Sequence, residues 1–208
     1  MEELIREIDQ LKENEIGKQI NKRMQELKDN FMNEQSVFSE LCFCITTANA
    51  SSQKGIEIQN VLQGKLEMYT EKTLIKKLRE LGCRFHNTKG KRLIEAGKRW
   101  KRIKKTIETF ENEFSLREWL VENINGFGYK EASHFLRNIG YANLAILDRH
   151  ILAVMHEHKM IDKIPDSLTK RKYLELEEKL TPLCTATKLR QGELDFYLWY
   201  MRTGKVLK

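Results

Sequence analysis

Apolar residues recur along this chain at three- and four-residue steps almost from end to end, the spacing that lines one face of an α-helix. Leu4, Ile8 and Leu11, then Ile16, Ile20, Met24 and Leu27, mark one or two N-terminal helices, with Gly17 as a candidate break. The same rule predicts helices over about 37–48, 55–62 and 72–81, then a connection at 82–85 leading into a long basic helix. Leu116, Leu120, Val121 and Ile124 predict another helix, and Ala132, Phe135, Leu136 and Ile139 one more directly after a short turn. Three further helices are expected over about 145–156, from Ser167 through about Leu180, and over 193–203. Only two prolines and few Val/Thr alternations occur, so the predicted class is all-α with no strand of consequence. At 208 residues the chain is long enough for one large domain or two small helical lobes sharing a cleft.

Charge changes this picture at one place. The chain carries a formal +7, and the segment from Lys89 to Lys105 holds nine cations against one acid, Glu95. That segment is +8, which leaves the rest of the chain at −1. Leu93, Ala96, Trp100, Ile103 and Ile107 fall on one face of it, so the helix is expected to pack inward while pointing cations outward. A cationic face of this kind is either simply solvated or meets a polyanion, whose counterions clustered Lys and Arg displace.

No stretch of eighteen apolar residues occurs, and Met1-Glu2-Glu3-Leu4-Ile5-Arg6 is charged where a signal peptide is apolar. The expectation is a soluble cytoplasmic protein with no membrane partner. Cys42, Cys44, Cys83 and Cys184 lack Cys-x-x-Cys spacing, and Cys42 and Cys44 sit in an apolar run as reduced core residues. His156 and His158 are expected to face solvent near a helix end, and no metal or cofactor is expected. Without a heptad seam, a monomer is expected.

The most informative stretch runs from Asn123 to His134. Two predicted helices flank the turn Asn125-Gly126-Phe127-Gly128. Gly126 and Gly128 are free to take positive φ and to let another backbone approach closely. The turn therefore can aim its N–H groups, and those opening the next helix, at an anion such as a DNA phosphate. Lys130 follows at once, and Asp148 lies eighteen positions beyond it.

These residues resemble the helix-hairpin-helix DNA glycosylases, in which a Gly-x-Gly hairpin precedes a lysine and a downstream aspartate. More narrowly, three segments are similar to the second, mainly archaeal class of 8-oxoguanine DNA glycosylase/AP lyase. They are Gly126-Phe127-Gly128-Tyr129-Lys130-Glu131-Ala132-Ser133-His134-Phe135-Leu136-Arg137-Asn138, the run Leu41-Cys42-Phe43-Cys44-Ile45-Thr46-Thr47-Ala48-Asn49, and the ending from Trp199 to Lys208. The resemblance implies a two-lobed helix-hairpin-helix fold with a DNA-binding cleft between the lobes. It pairs residues of about 1–50 and 160–208 in one lobe and 51–159 in the other, within a single unit. The implied work is base-excision repair on double-stranded DNA containing 8-oxoguanine or abasic sites, near the nucleoid and without a cofactor.

The chemistry so implied explains the residue types. Breaking the bond between a base and deoxyribose C1′ builds positive charge on the sugar. By resemblance, Asp148 is the carboxylate that stabilises it and Lys130 the amine that attacks C1′, forms a Schiff base and leads to β-elimination. An amine reacts only without its extra proton, and the first turn of a helix and burial in a cleft both disfavour an ammonium. The resemblance also assigns Phe85 and Trp199 to stacking on an extruded base. It gives the terminal carboxylate of Lys208 the Watson–Crick edge of the guanine, and it sets Gly126, Gly128, Tyr129, Arg149 and His150 against DNA phosphates.

Plainer readings stand beside these. A lysine at a helix start is commonplace, Asp148 suits a helix N-terminus on dipole grounds alone, and His150 caps or packs locally as readily as it touches a phosphate. Phe85 and Trp199 are ordinary core aromatics by composition. The sequence also departs from the superfamily: the loop at Gly140 has no proline, and Asn125 and Phe127 replace a common proline and aliphatic residue. With only Cys184 near the end, the four-cysteine iron–sulfur cluster of the endonuclease III type cannot form. Three functions remain in contention: an 8-oxoguanine glycosylase/lyase, a glycosylase for another damaged base, and a non-catalytic DNA-binding module.

Overall fold

A computed structural model describes residues 1–207, which form twelve α-helices and one 3-10 turn, with no strand among them. In order these are α1 (Glu2–Lys12), α2 (Glu15–Asn30), α3 (Glu34–Thr47), α4 (Ser52–Leu62), the 3-10 turn Leu66–Met68, α5 (Glu71–Glu80) and α6 (His86–Thr109). They continue with α7 (Glu113–Asn123), α8 (Tyr129–Asn138), α9 (Arg149–Glu157), α10 (Lys170–Lys179), α11 (Thr181–Thr187) and α12 (Gln191–Thr203).

Side-chain caps set most of the starts. Asn14, Asn33, Ser51, Thr70, Asn112 and Thr169 each accept a first-turn N–H, one of the donors a helix cannot satisfy internally. The N-terminal break therefore falls at Asn14, and Gly17 lies inside α2. The charged helix begins after the Thr169 cap and not at Ser167. Residues 145–148, expected to be helical, are an extended buried approach to α9, which begins after its cap Asp148. The short α11 was not anticipated; at seven residues it is too brief to show a period.

Two hydrophobic cores organise the helices. Phe43, Leu74, Leu78, Leu93, Leu120 and Phe135 belong to one, built from α3 through α8. Leu4, Ile8, Ile20, Met155, Leu176 and Leu194 belong to the other, built from α1, α2 and α9 through α12. The helix α3 joins the first because it is apolar nearly all round and packs against α4, α6 and α8. Sequence boundaries at 50 and 160 would assign α3 and α9 the other way.

Two buried ion pairs cross between the cores. Arg117 of α7 donates to both carboxylate oxygens of Glu177 in α10, at 2.6 and 2.8 Å. Arg137 of α8 meets Asp195 of α12 at 2.8 Å. Gly192 eases the close approach behind the second pair: a Cβ there would stand 3.0 Å from Arg137 Cγ and 3.2 Å from the Ala142 carbonyl oxygen. Glycine lets α12 begin this close to α8 without those neighbours giving way by a few tenths of an ångström.

The basic helix α6 follows the expected pattern with one exception. Leu93, Ala96, Ile103 and Ile107 are buried, and Lys91, Lys98, Lys101, Arg102 and Lys105 are exposed. Lys89, in contrast, points inward, where its Nζ donates to the Thr46 carbonyl oxygen at 2.6 Å, near the C-terminal end of α3. A cation suits that end of a helix dipole. Cys42, Cys44 and Cys83 are buried free thiols and Cys184 a partly buried one. Among the described residues no helix is long and apolar enough to cross a membrane.

Candidate active site

The helix-turn-helix at α7 and α8 is tied to the basic helix by three contacts that periodicity does not reveal. Gly126 has φ +97°, and a Cβ there would stand 2.7–2.9 Å from Cδ, Cζ and Nη1 of Arg92. Arg99 Nη1 donates to the Asn123 carbonyl oxygen at 2.9 Å, and Asn125 Nδ2 donates to Glu95 Oε2 at 2.7 Å. Gly128, expected to share the left-handed freedom of Gly126, has an ordinary φ of −103°. Its N–H donates to Glu131 Oε2 at 3.3 Å. Phe127 is buried beside Phe135, which pins the turn to the core. The N–H groups opening α8 point out of a helix end that has no side-chain cap.

Lys130 sits in the first turn of α8, half-buried. Asp148 caps α9: its Oδ1 accepts the N–H groups of His150 at 2.8 Å and Ile151 at 3.0 Å, while Oδ2 has no donor among the described residues. The cap fixes the carboxylate and leaves one oxygen for other work. The segment leading to Asp148 is held just as firmly. Ala145 N–H donates to Glu177 Oε1 at 2.8 Å, and Leu147 N–H donates to the Tyr173 hydroxyl, which itself donates to the Ala145 carbonyl oxygen. Glu177 is the partner of Arg117, and Arg117 also donates to Ser133 on α8 at 3.2 Å. One buried network therefore couples the helix carrying Lys130 to the segment carrying Asp148.

Lys130 and Asp148 line the same two connected hollows. The outer cleft, about 650 Å³, is also lined by Arg84, Arg149, His150 and Trp199. The inner recess, about 30 Å³, has room for a water but not for a base. His134, Arg137 and Asp195 line the recess together with Lys130, Asp148 and Trp199. The ring of Trp199 lies 6.0 Å from that of His150, edge-on.

Of the residues singled out in the sequence, Lys130, Asp148, Arg149, His150 and Trp199 share the cleft. Phe85 lines neither hollow; it stands 52 % exposed at the start of α6, with φ +58° and the Arg84 guanidinium carbon 4.9 Å above its ring. The Tyr129 side chain turns away to donate its hydroxyl to Glu118, which also receives Lys170, so only its backbone N–H faces the helix opening. Lys208 lies outside the described residues; its neighbour Leu207 lines the recess.

Sequence reading missed His134, Arg137 and Asp195. A signal for them exists: Lys130, His134 and Arg137 follow at steps of four and three on one face of α8, and Asp195 precedes Trp199 by four on α12. Burial pushes the Asp195 carboxyl up to about 7, with Arg137 opposing and Asp148 reinforcing the rise.

An all-helical chain in which a glycine hairpin delivers a lysine into the cleft of a helix-capping aspartate has the architecture of the helix-hairpin-helix DNA glycosylases. The family model described as 8-oxoguanine DNA glycosylase matches residues 20–189. The chain belongs to that family. It is 49% identical over 207 residues, covering 99% of both chains, to the 8-oxoguanine DNA glycosylase/AP lyase of Methanocaldococcus jannaschii. The protein of the same description from Korarchaeum cryptofilum is 40% identical over 208 residues, covering 100% of this chain and 99% of its own. Among solved structures, the Methanocaldococcus jannaschii 8-oxoguanine glycosylase/lyase in complex with a 15mer DNA containing 8-oxoguanine superposes with a TM-score of 0.94. That match covers 99% of both chains at 48% identity.

Proposed function

We propose that this chain is a bifunctional base-excision enzyme that removes 8-oxoguanine from double-stranded DNA and then cleaves the abasic site, with Lys130 as nucleophile and Asp148 as the catalytic carboxylate. The observation that carries the residue assignment is that both side chains line the cleft and its recess together. A base inside a duplex is out of reach, so the nucleotide swings out, and the outer cleft is the hollow with room for it. Trp199 offers it a stacking face, and Phe85 closes over it only if the Arg84–Phe85 corner moves inward.

The Lys130 Nζ lone pair attacks C1′ as the bond from C1′ to the base nitrogen breaks, and its electron pair leaves with the base, which takes up a proton. The free Oδ2 of Asp148 faces the positive charge that develops on the sugar. The ring then opens to a Schiff base between Nζ and C1′. Loss of a C2′ proton pushes electrons toward that iminium, and the C3′–oxygen bond breaks with the 3′ phosphate as leaving group. The Gly126 N–H and the N–H groups opening α8 hold the DNA backbone against the Gly126–Gly128 turn, with Tyr129 contributing its N–H and Arg149 and His150 beside the reacting nucleotide. The two cores act as two lobes flanking the cleft, Lys208 contributes to recognition of the lesion's base, and the enzyme works as a monomer in the cytoplasm with no metal or cofactor.

The test is single-turnover excision from a panel of duplexes, each carrying one lesion, with each of the four bases opposite. Excision of 8-oxoguanine is expected to be fastest. Faster release of an alkylated purine or oxidised pyrimidine would reassign the substrate.

A further inference from the structure

Where the hairpin meets the basic helix, one cation is held in place and left without a partner. A hollow of about 280 Å³ lies there, lined by Asn87, Thr88, Lys91, Arg92 and Glu95 of α6 and by Asn125 of the turn. It is distinct from the cleft: Asn125 opens onto the hollow, whereas Lys130 and Glu131, past the turn, open onto the cleft. The space is several times that of a water, enough for a phosphate group.

The charges around the hollow do not balance. Glu95 is its one acid, and both carboxylate oxygens are engaged: Oε1 receives Arg99 at 3.4 Å and Oε2 receives Asn125 at 2.7 Å. Lys91 and Arg92 have no hydrogen bond or ion pair with a described residue. For Lys91 that is ordinary, since it stands exposed on a helix face and water serves it. Arg92 differs. It is half-buried, and its Cδ, Cζ and Nη1 lie so close over Gly126 that a Cβ there would stand 2.7–2.9 Å from them. The turn thus fixes a guanidinium whose donors no described residue accepts. A guanidinium keeps its charge throughout the physiological range, and its planar fork matches two oxygens of a phosphate.

We propose that this hollow is a second seat for a DNA backbone phosphate, across the turn from the one held at the opening of α8, with Arg92 as its anchoring cation and Lys91 beside it. The Glu95–Asn125 and Arg99–Asn123 bonds make the hairpin and α6 one rigid unit, so the two seats keep a fixed separation. Two phosphates held from one rigid unit set the register of the duplex against Lys130, which a single contact leaves free to swivel. The inference rests on the hairpin gripping DNA.

Fluorescence anisotropy tests it, with duplexes carrying an abasic analogue in which one phosphate at a time around that site is replaced by a neutral methylphosphonate. In the wild type, neutralising the seated phosphate is expected to weaken Kd several-fold. Arg92→Met keeps the stem on Gly126 and removes the charge, so it should bind the unmodified duplex several-fold more weakly, with a salt slope shallower by about 0.9. In that variant the same methylphosphonate should cost less than about twofold more, while every other linkage costs as much as in the wild type. Arg92→Lys keeps a charge and should retain most of the cost at that linkage, which a role for the stem alone does not explain. Equal costs at every linkage in wild type and Arg92→Met overturn the seat and leave Arg92 a contributor to a diffuse field. Should Arg92→Met fail to fold, Arg92→Gln is read in the same way. Gly128→Ala, scanned alongside, is expected to lose its cost at a different linkage. Loss at the same linkage as Arg92→Met would mean one seat and not two, and would also overturn the proposal. If Gly128→Ala shows its loss and Arg92→Met none, the second seat fails alone; if neither shows one, the hairpin grip has failed with it.

Discussion

Two alanine substitutions two positions apart in the hairpin should have unlike consequences. At Gly126, φ is +97°, a region where an L side chain is strained by about 1–3 kcal/mol. The new Cβ would also displace Arg92, whose nearest atom lies 2.7 Å from it. Reduced freedom of the unfolded chain returns roughly 0.4–1 kcal/mol. The net loss is about 1–2 kcal/mol, which for a chain of this size lowers Tm by roughly 2–8 °C. At Gly128, φ is −103° and ψ −172°, ordinary extended backbone, and the nearest atom to a Cβ is Glu131 Oε2 at 3.3 Å, the end of a flexible side chain. Gly128→Ala should therefore leave Tm within about 2 °C of wild type. DNA binding should separate from stability. On the proposed backbone grip, a methyl at 128 crowds the phosphate held by the N–H groups opening α8, and loss of one charge-assisted hydrogen bond of about 1.5 kcal/mol weakens Kd roughly tenfold. Differential scanning fluorimetry and fluorescence anisotropy with a duplex carrying an abasic analogue read the two axes. Equal Tm losses in the two variants would refute the strain argument, and wild-type affinity in Gly128→Ala would refute the turn as a backbone grip.

Further consequences follow from the same geometry. Asp148→Asn keeps a good helix cap and should melt within about 0.5 kcal/mol of wild type while excision falls at least about a hundredfold; Asp148→Ala should lose excision and also about 1 kcal/mol of stability, as read by denaturant unfolding. Arg117→Met strands the buried Glu177 carboxylate and should cost about 3–5 kcal/mol, whereas Arg117→Met with Glu177→Leu should recover part of that in the same assay. Lys101→Gln, on the exposed face of α6, should weaken DNA binding and make its salt dependence shallower by about one unit of slope. Lys89→Met should leave that slope unchanged and lower Tm. The raised Asp195 pKa has a stability consequence of its own: the folded state holds that proton more tightly than the unfolded chain, whose carboxyl titrates near 3.9. Stability from this group is full below about pH 4 and declines toward pH 7, and Asp195→Asn should flatten that part of a Tm-versus-pH curve.

What the sequence made legible, and what it hid, divides along physical lines. Helices such as α5, α7 and α8 show in a periodic apolar face because local spacing alone dictates it. The meeting of Lys130 with Asp148 was legible through the hairpin and its resemblance, not through periodicity. What periodicity cannot show is which polar residue will find a distant partner. Arg117, between Leu116 and Leu120, reads as a surface residue and becomes the buried partner of Glu177, sixty positions away. Lys89 reads as part of a cationic face and turns inward because the carbonyl end of α3 awaits it. Asp195 reads as one acid in a terminal helix, and its character follows from burial against Arg137, where Gly192 lets α12 pack close to α8. The left-handed conformation of Phe85 was equally hidden, since φ at a helix start follows from how the connecting residues close the corner after α5.

The central claim is that the amine at position 130 attacks the deoxyribose beside the carboxylate at 148. Borohydride reduction during turnover of an 8-oxoguanine duplex tests it most directly, followed by peptide mapping of the cross-linked residue. The prediction is a covalent protein–DNA adduct attached at Lys130, absent in Lys130→Gln although that variant still binds the duplex. An adduct mapped to another residue, or undiminished trapping in Lys130→Gln, would contradict it.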